Sequence, residues 1–302
     1  MSEEKLDDTK TLHNVPLKAK KGDSLMKHAM RRLFANKAAV AAMIVLLVLI
    51  LLAFFGPHLR PYAIDEVFWD DFQTAPSLEN GHWFGTDANG RDLFVRVLYG
   101  MRISLLVGLC ATAVSLIIGV AYGAIAGYAG GRTDSIMMRV VDVLYSMPFM
   151  FFVILLMVFF GRNIYLMFAA IGAVEWLTMA RIVRGQAMSL KHKEFVQAAE
   201  VLGVSPLSII RRHIVPNTLG TVVVYVTLTI PLAILTESFL SFLGLGVQEP
   251  MTSLGVLISE GAKQMESAPW LLIFPALFLA IMLFCFNFIG DGLRDAFDPK
   301  ER

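Results

Sequence analysis

The sequence predicts an all-α integral membrane protein with six transmembrane helices. Hydrophobic residues make up 56% of the 302 residues and charged residues only 17%, whereas soluble domains carry about 25% charged residues. The charges are also unevenly spaced, and they leave several uncharged windows of the length that spans a bilayer, about 20 residues. The same composition excludes a disordered chain, which needs many charges and few apolar residues.

Five windows contain no Asp, Glu, Lys or Arg and are long enough to span. They cover residues 38–59, 103–131, 143–161, 213–236 and 267–290. A sixth window, residues 163–180, contains one acid, Glu175, and returns the chain to its starting side. The first window is too long for the apolar core of a cleaved signal peptide, and no A-x-A-like site follows it. We therefore expect it to stay in the membrane.

The distribution of Lys and Arg predicts that both termini are cytoplasmic. In this orientation the inner segments contain 20 of the 26 basic residues and the outer segments contain 6, the bias expected of cytoplasmic loops. The predicted organisation is a cytoplasmic tail (1–37), a first transmembrane helix (38–59), an external segment (60–99), a membrane domain (100–290) and a second cytoplasmic tail (291–302).

The segments outside the apolar windows differ from one another in composition. Residues 25–37 place apolar and basic side chains on opposite sides of a helix, which predicts a basic amphipathic helix on the inner membrane surface. The external segments 57–102 and 237–269 are acidic and rich in turn residues. In the first of them, Thr86 or Asp87 is expected to cap a helix that leads into the second span.

The second window carries a face of small residues that repeats every four positions. Its members are Ala111, Ser115, Gly119, Gly123 and Gly127. Small side chains let another helix approach closely in a membrane. Gly119, Gly123 and Gly127 are therefore predicted helix-packing residues, within this chain or against a partner subunit.

The sequence contains no motif for catalysis or metal binding. It has neither the G-x-x-x-x-G-K-[ST] pattern of a P-loop nor an H-E-x-x-H zinc pair, and Cys110 and Cys285 are isolated within apolar windows. We expect no catalytic residue, no metal site and no bound cofactor. The net charge of +1 gives no indication of nucleic-acid binding. An intramembrane enzyme is disfavoured because no nucleophile and base lie together at membrane depth.

Glu175, Trp176 and Glu237 are candidates for residues on a translocation path. A charge deep in a span costs about 2.5 kcal/mol or more, so Glu175 should face the bundle interior, a cavity or a partner. It either lines a path for substrate or protons, or is a helix-end residue bonded to Trp176 or nearby backbone. Both interpretations stay open. Glu237 lies at a span edge, where a solvated position is the simpler interpretation.

Residues 191–217 predict a compact helix–turn–helix on the cytoplasmic side. The first helix contains Ala198 and Ala199, and Gly203 permits a break after it. A Ser-Pro pair then starts a second helix, which Pro216 is expected to end before the fifth span. Nothing in this segment can do chemistry, so we interpret it as a docking element rather than an ordinary basic loop.

This segment resembles the EAA loop of ABC importer permeases, whose pattern is E-A-A-x3-G-x9-I-x-L-P. The matching residues are Ala198, Ala199, Gly203 and Pro216, and the departures are Gln197, His213 and Val215. Gln197 loses the charge of the usual Glu but keeps a hydrogen-bonding end. Three further segments, 85–105, 237–255 and 290–300, resemble signatures of the C-type membrane subunits of oligopeptide and dipeptide importers. The resemblance covers most of the chain after residue 25.

The resemblance implies the type I ABC importer permease fold, with residues 181–216 as the loop that couples to the ATPases. The implied coupling residues are Gln197, Ala198, Ala199, Gly203 and Pro216. It further implies a multi-pass peptide permease of the bacterial inner membrane that binds no cofactor and hydrolyses nothing itself. Its implied partners are the lipid bilayer, a second permease subunit in a heterodimer, an extracytoplasmic peptide-binding protein and two ATPase subunits that use ATP and magnesium.

One alternative function stays open at this point, and so does the class of substrate within the resembled family. A secondary transporter coupled to protons through Glu175 would need neither ATP nor a docking loop. Within the resembled family, the preferred peptide length is open, and so is the choice among oligopeptide, dipeptide, murein-peptide and metal-chelate branches.

Overall fold

The computed structural model describes residues 25–161 and 163–297, and this part of the chain is almost entirely helical. The predicted tail residues 1–24 and 298–302 lie outside the described residues. The helices are α1 (Leu25–Ala35), α2 (Lys37–Phe55), α3 (Leu93–Ala129), α4 (Gly131–Ser146), α5 (Phe149–Phe160), α6 (Ile164–Lys191), α7 (Glu194–Val201), α8 (Pro206–Ile209), α9 (Val215–Phe242), α10 (Leu254–Lys263) and α11 (Trp270–Phe297). A 3₁₀ turn, Gly56–Leu59, follows α2, and a π-helical turn, Ile210–Ile214, joins α8 to α9.

Five helical segments are long and apolar enough to cross a membrane. They are Lys37–Leu59, Leu93–Ala129, Ile164–Lys191, Pro206–Phe242 and Trp270–Phe297. Helices α4 and α5 together make a sixth candidate, bent by 83° between them. The predicted all-α, multi-span architecture is confirmed, with six spans when the bent pair is taken as one.

The third predicted span is not one straight helix. The window 143–161 is divided between the end of α4 and α5, and Met147 between them has an extended backbone. The cause is Pro148, because a proline disfavours helical geometry in the residue before it and has no amide hydrogen to donate. The hydropathy of a window therefore does not reveal a proline break within it.

The other spans extend beyond their windows. Helix α3 begins at Leu93 instead of residue 103, and Asp92 caps it by accepting a bond from the Val95 amide (2.9 Å). Thr86 and Asp87, the predicted caps, lie before that turn. Boundaries expected after residues 99 and 290 therefore fall inside α3 and α11. A charged residue ends an apolar window, but it does not end a helix when the charge is paired.

Helices α3 and α6 run parallel to each other with their backbones in contact. Residue numbers rise together along both helices, and the contacts pair Ala111 with Gly172, Gly119 with Trp176, Gly123 with Ala180, and Gly127 with Arg184. A methyl group on Gly127 would lie 2.5 Å from the Arg184 carbonyl oxygen, and one on Gly123 would collide with the Ala180 carbonyl oxygen. The three predicted packing glycines all lie at this interface.

The bundle has two distinct ends. At the first, Gly292 of α11 faces Ala39 at the start of α2, and Gly220 near the start of α9 faces Phe297. Helix α1 packs there against the last turns of α11. We call this the terminal end. The opposite end, which we call the cap end, is formed by residues 60–92 and 243–269.

Ion pairs tie the two cap segments together around Asp87. Its carboxylate accepts bonds from the Arg91 amide (2.9 Å) and side chain (2.8 Å) and lies 3.2 Å from Arg96. Arg91 reaches Glu249 (2.8 Å), and Arg96 reaches Glu260 (3.1 Å). Burial raises the pKa of Glu260, against the opposing attraction of the two arginines. The charged residues Asp87, Arg91 and Arg96 therefore serve to hold the two cap segments together.

Replacing Gly123 with alanine tests the contact between α3 and α6. The added methyl group forces the helices apart, and overpacking of this kind costs about 1–3 kcal/mol, so the Tm in detergent should fall. Gly185 of α6 has no neighbouring atom within 4 Å of an added methyl group. The control Gly185→Ala should therefore be neutral, or more stable by up to about 1 kcal/mol. Equal Tm values for the two variants would contradict the close packing.

Candidate functional site

The predicted docking segment is a tight helical hairpin at the terminal end. Helix α6 continues to Lys191, α7 follows almost at once, and helical backbone resumes at Pro206. The segment expected to be a loop, residues 181–216, is therefore mostly helix. Its only non-helical parts are two short connections, residues 192–193 and 202–205.

Gly203 ends α7 in a left-handed conformation. Its φ is +73°, its amide donates to the Glu200 carbonyl (3.0 Å), and the next amide, of Val204, donates to the Ala199 carbonyl (3.1 Å). These two bonds define the Schellman ending of a helix, in which glycine is favoured at the left-handed position. A methyl group on Gly203 would meet no atom within 4 Å. The backbone conformation, and not a lack of space, favours glycine here.

Pro216 does not end the second helix, contrary to the prediction. It lies in the first turn of α9, directly after the π-helical turn, and the helix remains continuous through it. In a regular α-helix a proline ring clashes with the carbonyl four residues earlier. Here the Val215 amide bonds to the Ile210 carbonyl, five residues back. This local change of register lets the chain pass the proline without a break.

Helix α7 is fixed to the bundle by an apolar base and by a tyrosine. Val196 and Ala199 are buried against residues of α3 and α6. The Tyr128 hydroxyl at the end of α3 donates to the Glu200 carboxylate (2.9 Å). Sequence reasoning missed this bond, because its partners are 72 residues apart in the chain and neither lies in a recognisable motif.

A second polar tie holds the helices above the hairpin. Arg184 of α6 donates two bonds to the Asp134 carboxylate of α4, at 2.5 and 2.6 Å. Such a bidentate pair fixes geometry as well as charge. The hairpin therefore continues a braced pair of helices.

The predicted coupling residues occupy different positions in this hairpin. Gln197 and Ala198 lie on the exposed side of α7, Ala199 in its buried base, Gly203 in the turn, and Pro216 on the exposed start of α9. The charge missing at Gln197 is present one helical turn later, on Glu200.

The turn of the hairpin carries an exposed apolar tip. We define it by Val201, Leu202 and Leu207, which are 87%, 81% and 70% exposed. Exposed apolar surface rimmed by polar residues marks an interaction site, and the exposed Arg211 and Arg212 lie close by in the chain. The tip offers apolar contact rather than chemistry. No group of three or more potential metal ligands occurs within residues 25–161 and 163–297.

Glu175 lies in the middle of α6, so its interpretation as a helix-end residue is wrong. Its side chain is half-buried and makes no hydrogen bond or ion pair with any described residue. The next residue, Trp176, is buried and stacks edge-on against Tyr122 of α3, with ring centroids 4.9 Å apart. Trp176 is therefore a packing residue in this chain, whereas the Glu175 carboxylate has no polar partner among the described residues.

Glu237 is fully buried, which corrects its prediction as a solvated span edge or a path residue. Its carboxylate accepts hydrogen bonds from Ser241 and Ser253, each 2.6 Å, and from Ser104 at 3.2 Å. Ser253 also caps α10 by accepting from the Val256 amide (3.1 Å). A side chain enclosed in this way cannot line an open path. It joins α3, α9 and the start of α10.

Comparison with known proteins assigns the class of this membrane protein. More than half of the chain, residues 119–302, matches the family of binding-protein-dependent transport system inner membrane components. Residues 24–76 match the N-terminal transmembrane domain of oligopeptide transport permease C. The chain belongs to the first family. It is an ABC importer permease with the type I fold, a transport subunit and not an enzyme.

Named relatives align over nearly the whole chain. The oligopeptide transport system permease protein OppC of Haemophilus influenzae is 59% identical, over 93% of this chain and 90% of the relative. OppC of Escherichia coli K12 is 57% identical over 98% of both chains. The dipeptide transport system permease protein DppC of Bacillus subtilis is 47% identical over 92% and 87%. A solved MetNI methionine ABC transporter aligns with a TM-score of 0.47 and 16% identity, over 65% of this chain and 94% of that one.

Replacing Glu237 with glutamine tests the buried cluster. Ser241 and Ser253 donate to Oε1, which glutamine keeps, but Ser104 donates to Oε2, and the amide nitrogen that replaces this oxygen cannot accept the bond. A buried donor left unsatisfied costs about 1–3 kcal/mol, so the Tm of Glu237→Gln in detergent should fall. Glu266 is exposed, and Glu266→Gln is the matched control, with no expected change. A Glu237→Gln variant as stable as this control would show that the cluster adds nothing to stability.

Proposed function

We propose that this chain forms one half of a peptide pathway through the bacterial inner membrane, driven by ATP hydrolysis on separate subunits. The observation that carries the proposal is the hairpin at the terminal end. Its exposed apolar tip stands on a base braced to α3, α4 and α6. A partner that moves the tip therefore moves the spans, in a rigid-body transition between two states of the bundle.

The proposed substrate is a peptide. This follows from the relatives named as oligopeptide and dipeptide permeases, and from the match at residues 24–76 to the N-terminal domain of oligopeptide permeases. The higher identity to the oligopeptide permeases favours oligopeptides over dipeptides. A proton-coupled carrier has no such support and leaves the braced hairpin without a role.

The proposed partners are those of a complete importer. A second, similar permease subunit completes the pathway as a heterodimer, and two ATPase subunits bind the exposed tips with ATP and magnesium. An extracytoplasmic peptide-binding protein delivers the substrate to the cap end. This chain holds neither nucleotide nor metal in the proposal. Its coupling residues are Gln197, Ala198, Ala199, Gly203 and Pro216.

The proposed orientation puts the terminal end in the cytoplasm. A reporter enzyme that works only in the cytoplasm should be active when fused after Arg302, and one that works only outside the membrane should be active when inserted near Glu79. The reason is that basic segments are retained on the cytoplasmic side. The measurement is reporter activity in whole cells with expression checked. The opposite pattern at either position would remove the hairpin from the ATPase side.

Replacing Gly203 with aspartate tests the coupling role of the hairpin. Asp tolerates the left-handed conformation better than most residues, and the space around Gly203 is open, so the fold should persist. A charge beside the apolar tip should weaken ATPase binding. We expect at least a tenfold loss of peptide uptake, about 1.4 kcal/mol, together with reduced ATPase retention on membranes.

Gly244 provides the matched control at the cap end. It has a similar φ, +76°, and open space around it, so Gly244→Asp imposes the same local strain far from the hairpin. Its ATPase retention should equal that of the wild type. Wild-type uptake and ATPase retention by Gly203→Asp at normal expression would exclude the hairpin from coupling.

A further inference from the structure

Glu175 stands out from the other buried or half-buried carboxylates described above. Glu237 has three serine donors, and Asp134 has Arg184, but Glu175 has no partner among the described residues. An unpaired carboxylate at membrane depth is costly. Its negative charge is therefore available to a group that this chain does not supply.

Glu175 begins a polar face that runs along α6 to the terminal end. We define this polar face by Glu175, Thr178, Ile182, Gln186 and Ser189. Successive members are three or four residues apart, so they share one side of the helix. Thr178, Gln186 and Ser189 are exposed in this chain. The face is polar at four of its five positions.

The exposed sides of the neighbouring spans are different. On α3 the large exposed residues are apolar, for example Leu109 and Ile117, and on α9 they include Leu232 and Phe239. Those surfaces suit lipid or an apolar helix. Glu175 and Thr178 lie within the apolar window 163–180, where polar side chains belong beside water or a polar partner. Gln186 and Ser189 continue the face beyond that window, in the segment 181–216. The polar face of α6 therefore suits an aqueous path in the assembled importer.

The packing of α6 fixes the direction of this face. Gly172 is locked against Ala111 of α3, and Trp176 is buried on the same side of the helix. Helix α5 covers the preceding turns, where Val153 and Met157 belong to one apolar cluster with Ile171. Glu175 follows directly after this covered part. It lies within the apolar window 163–180, about 8 Å from the inner end of that window at a rise of 1.5 Å per residue.

We propose that Glu175, at the head of this polar face, binds a positively charged side chain of the peptide in transit. The assignment rests on the peptide-transport function proposed above. The lysine and arginine side chains of peptides carry this charge. A carboxylate pairs with these groups through charge-assisted hydrogen bonds. The exposed Thr178, Gln186 and Ser189 then offer neutral polar contacts toward the terminal end.

The test compares peptides that differ only in charge. The complete importer, with its binding protein and ATPases, is reconstituted in proteoliposomes, and uptake of Ala-Lys-Ala, Ala-Ala-Ala and Ala-Glu-Ala is measured. For each peptide the rate of Glu175→Gln is divided by the wild-type rate, which cancels the preference of the binding protein. The ratio for Ala-Lys-Ala should fall about tenfold, as loss of a hydrogen bond to a charged group implies, and that for Ala-Glu-Ala less than about twofold.

Two control variants separate charge from structure. Glu175→Asp keeps the charge and should restore most of the Ala-Lys-Ala uptake, and Glu266→Gln removes an exposed acid elsewhere and should match the wild type. Equal ratios for all three peptides in Glu175→Gln would overturn the binding site while leaving the proposed function intact. Failure of the wild-type importer to take up any of the three peptides would instead overturn the proposed function, and the site with it.

Discussion

The contact between the backbones of α3 and α6 is the constraint on which the rest of this structure depends. Side chains larger than hydrogen at Gly123 and Gly127 would separate the two helices, and their contact positions both the hairpin and Glu175. It brings Tyr128 to the hairpin, where it holds Glu200. It also fixes the rotation of α6, which buries Trp176 and leaves Glu175 at the flank. In a bilayer, such van der Waals packing replaces the hydrophobic drive of soluble bundles.

The two ends of the bundle use polar residues for opposite purposes. At the cap end, charged side chains pair with one another within the chain. Asp87 binds Arg91 and Arg96, and the serine cluster around Glu237 holds the start of α10. At the terminal end, polar bonds brace the base of the hairpin while its apolar tip remains exposed. The charged motif around Asp87 is thus structural, whereas the hairpin, which has few charges at its tip, carries the surface suited to a partner.

The sequence predicted those features that depend on local chemistry. The helical class, the glycines of α3 and the break at Gly203 all follow from hydropathy or from the backbone freedom of one residue type. Features that depend on distant partners were missed, including the Tyr128–Glu200 bond and the serine donors that bury Glu237. Hydropathy also failed where backbone chemistry overrides it. Pro148 bends an apolar window, whereas the π-helical turn before Pro216 prevents the expected break.

Site-specific photocrosslinking tests the central claim, that the hairpin tip is the surface bound by the ATPase. A photoreactive residue at Leu202 is compared with one at Leu78 in the cap, because both side chains are 81% exposed. The complete importer is irradiated in native membranes, and crosslinked products are identified by mass. A crosslink to the ATPase from position 202 and none from position 78 is the predicted result. An ATPase crosslink from position 78, with none from position 202, would contradict the claim.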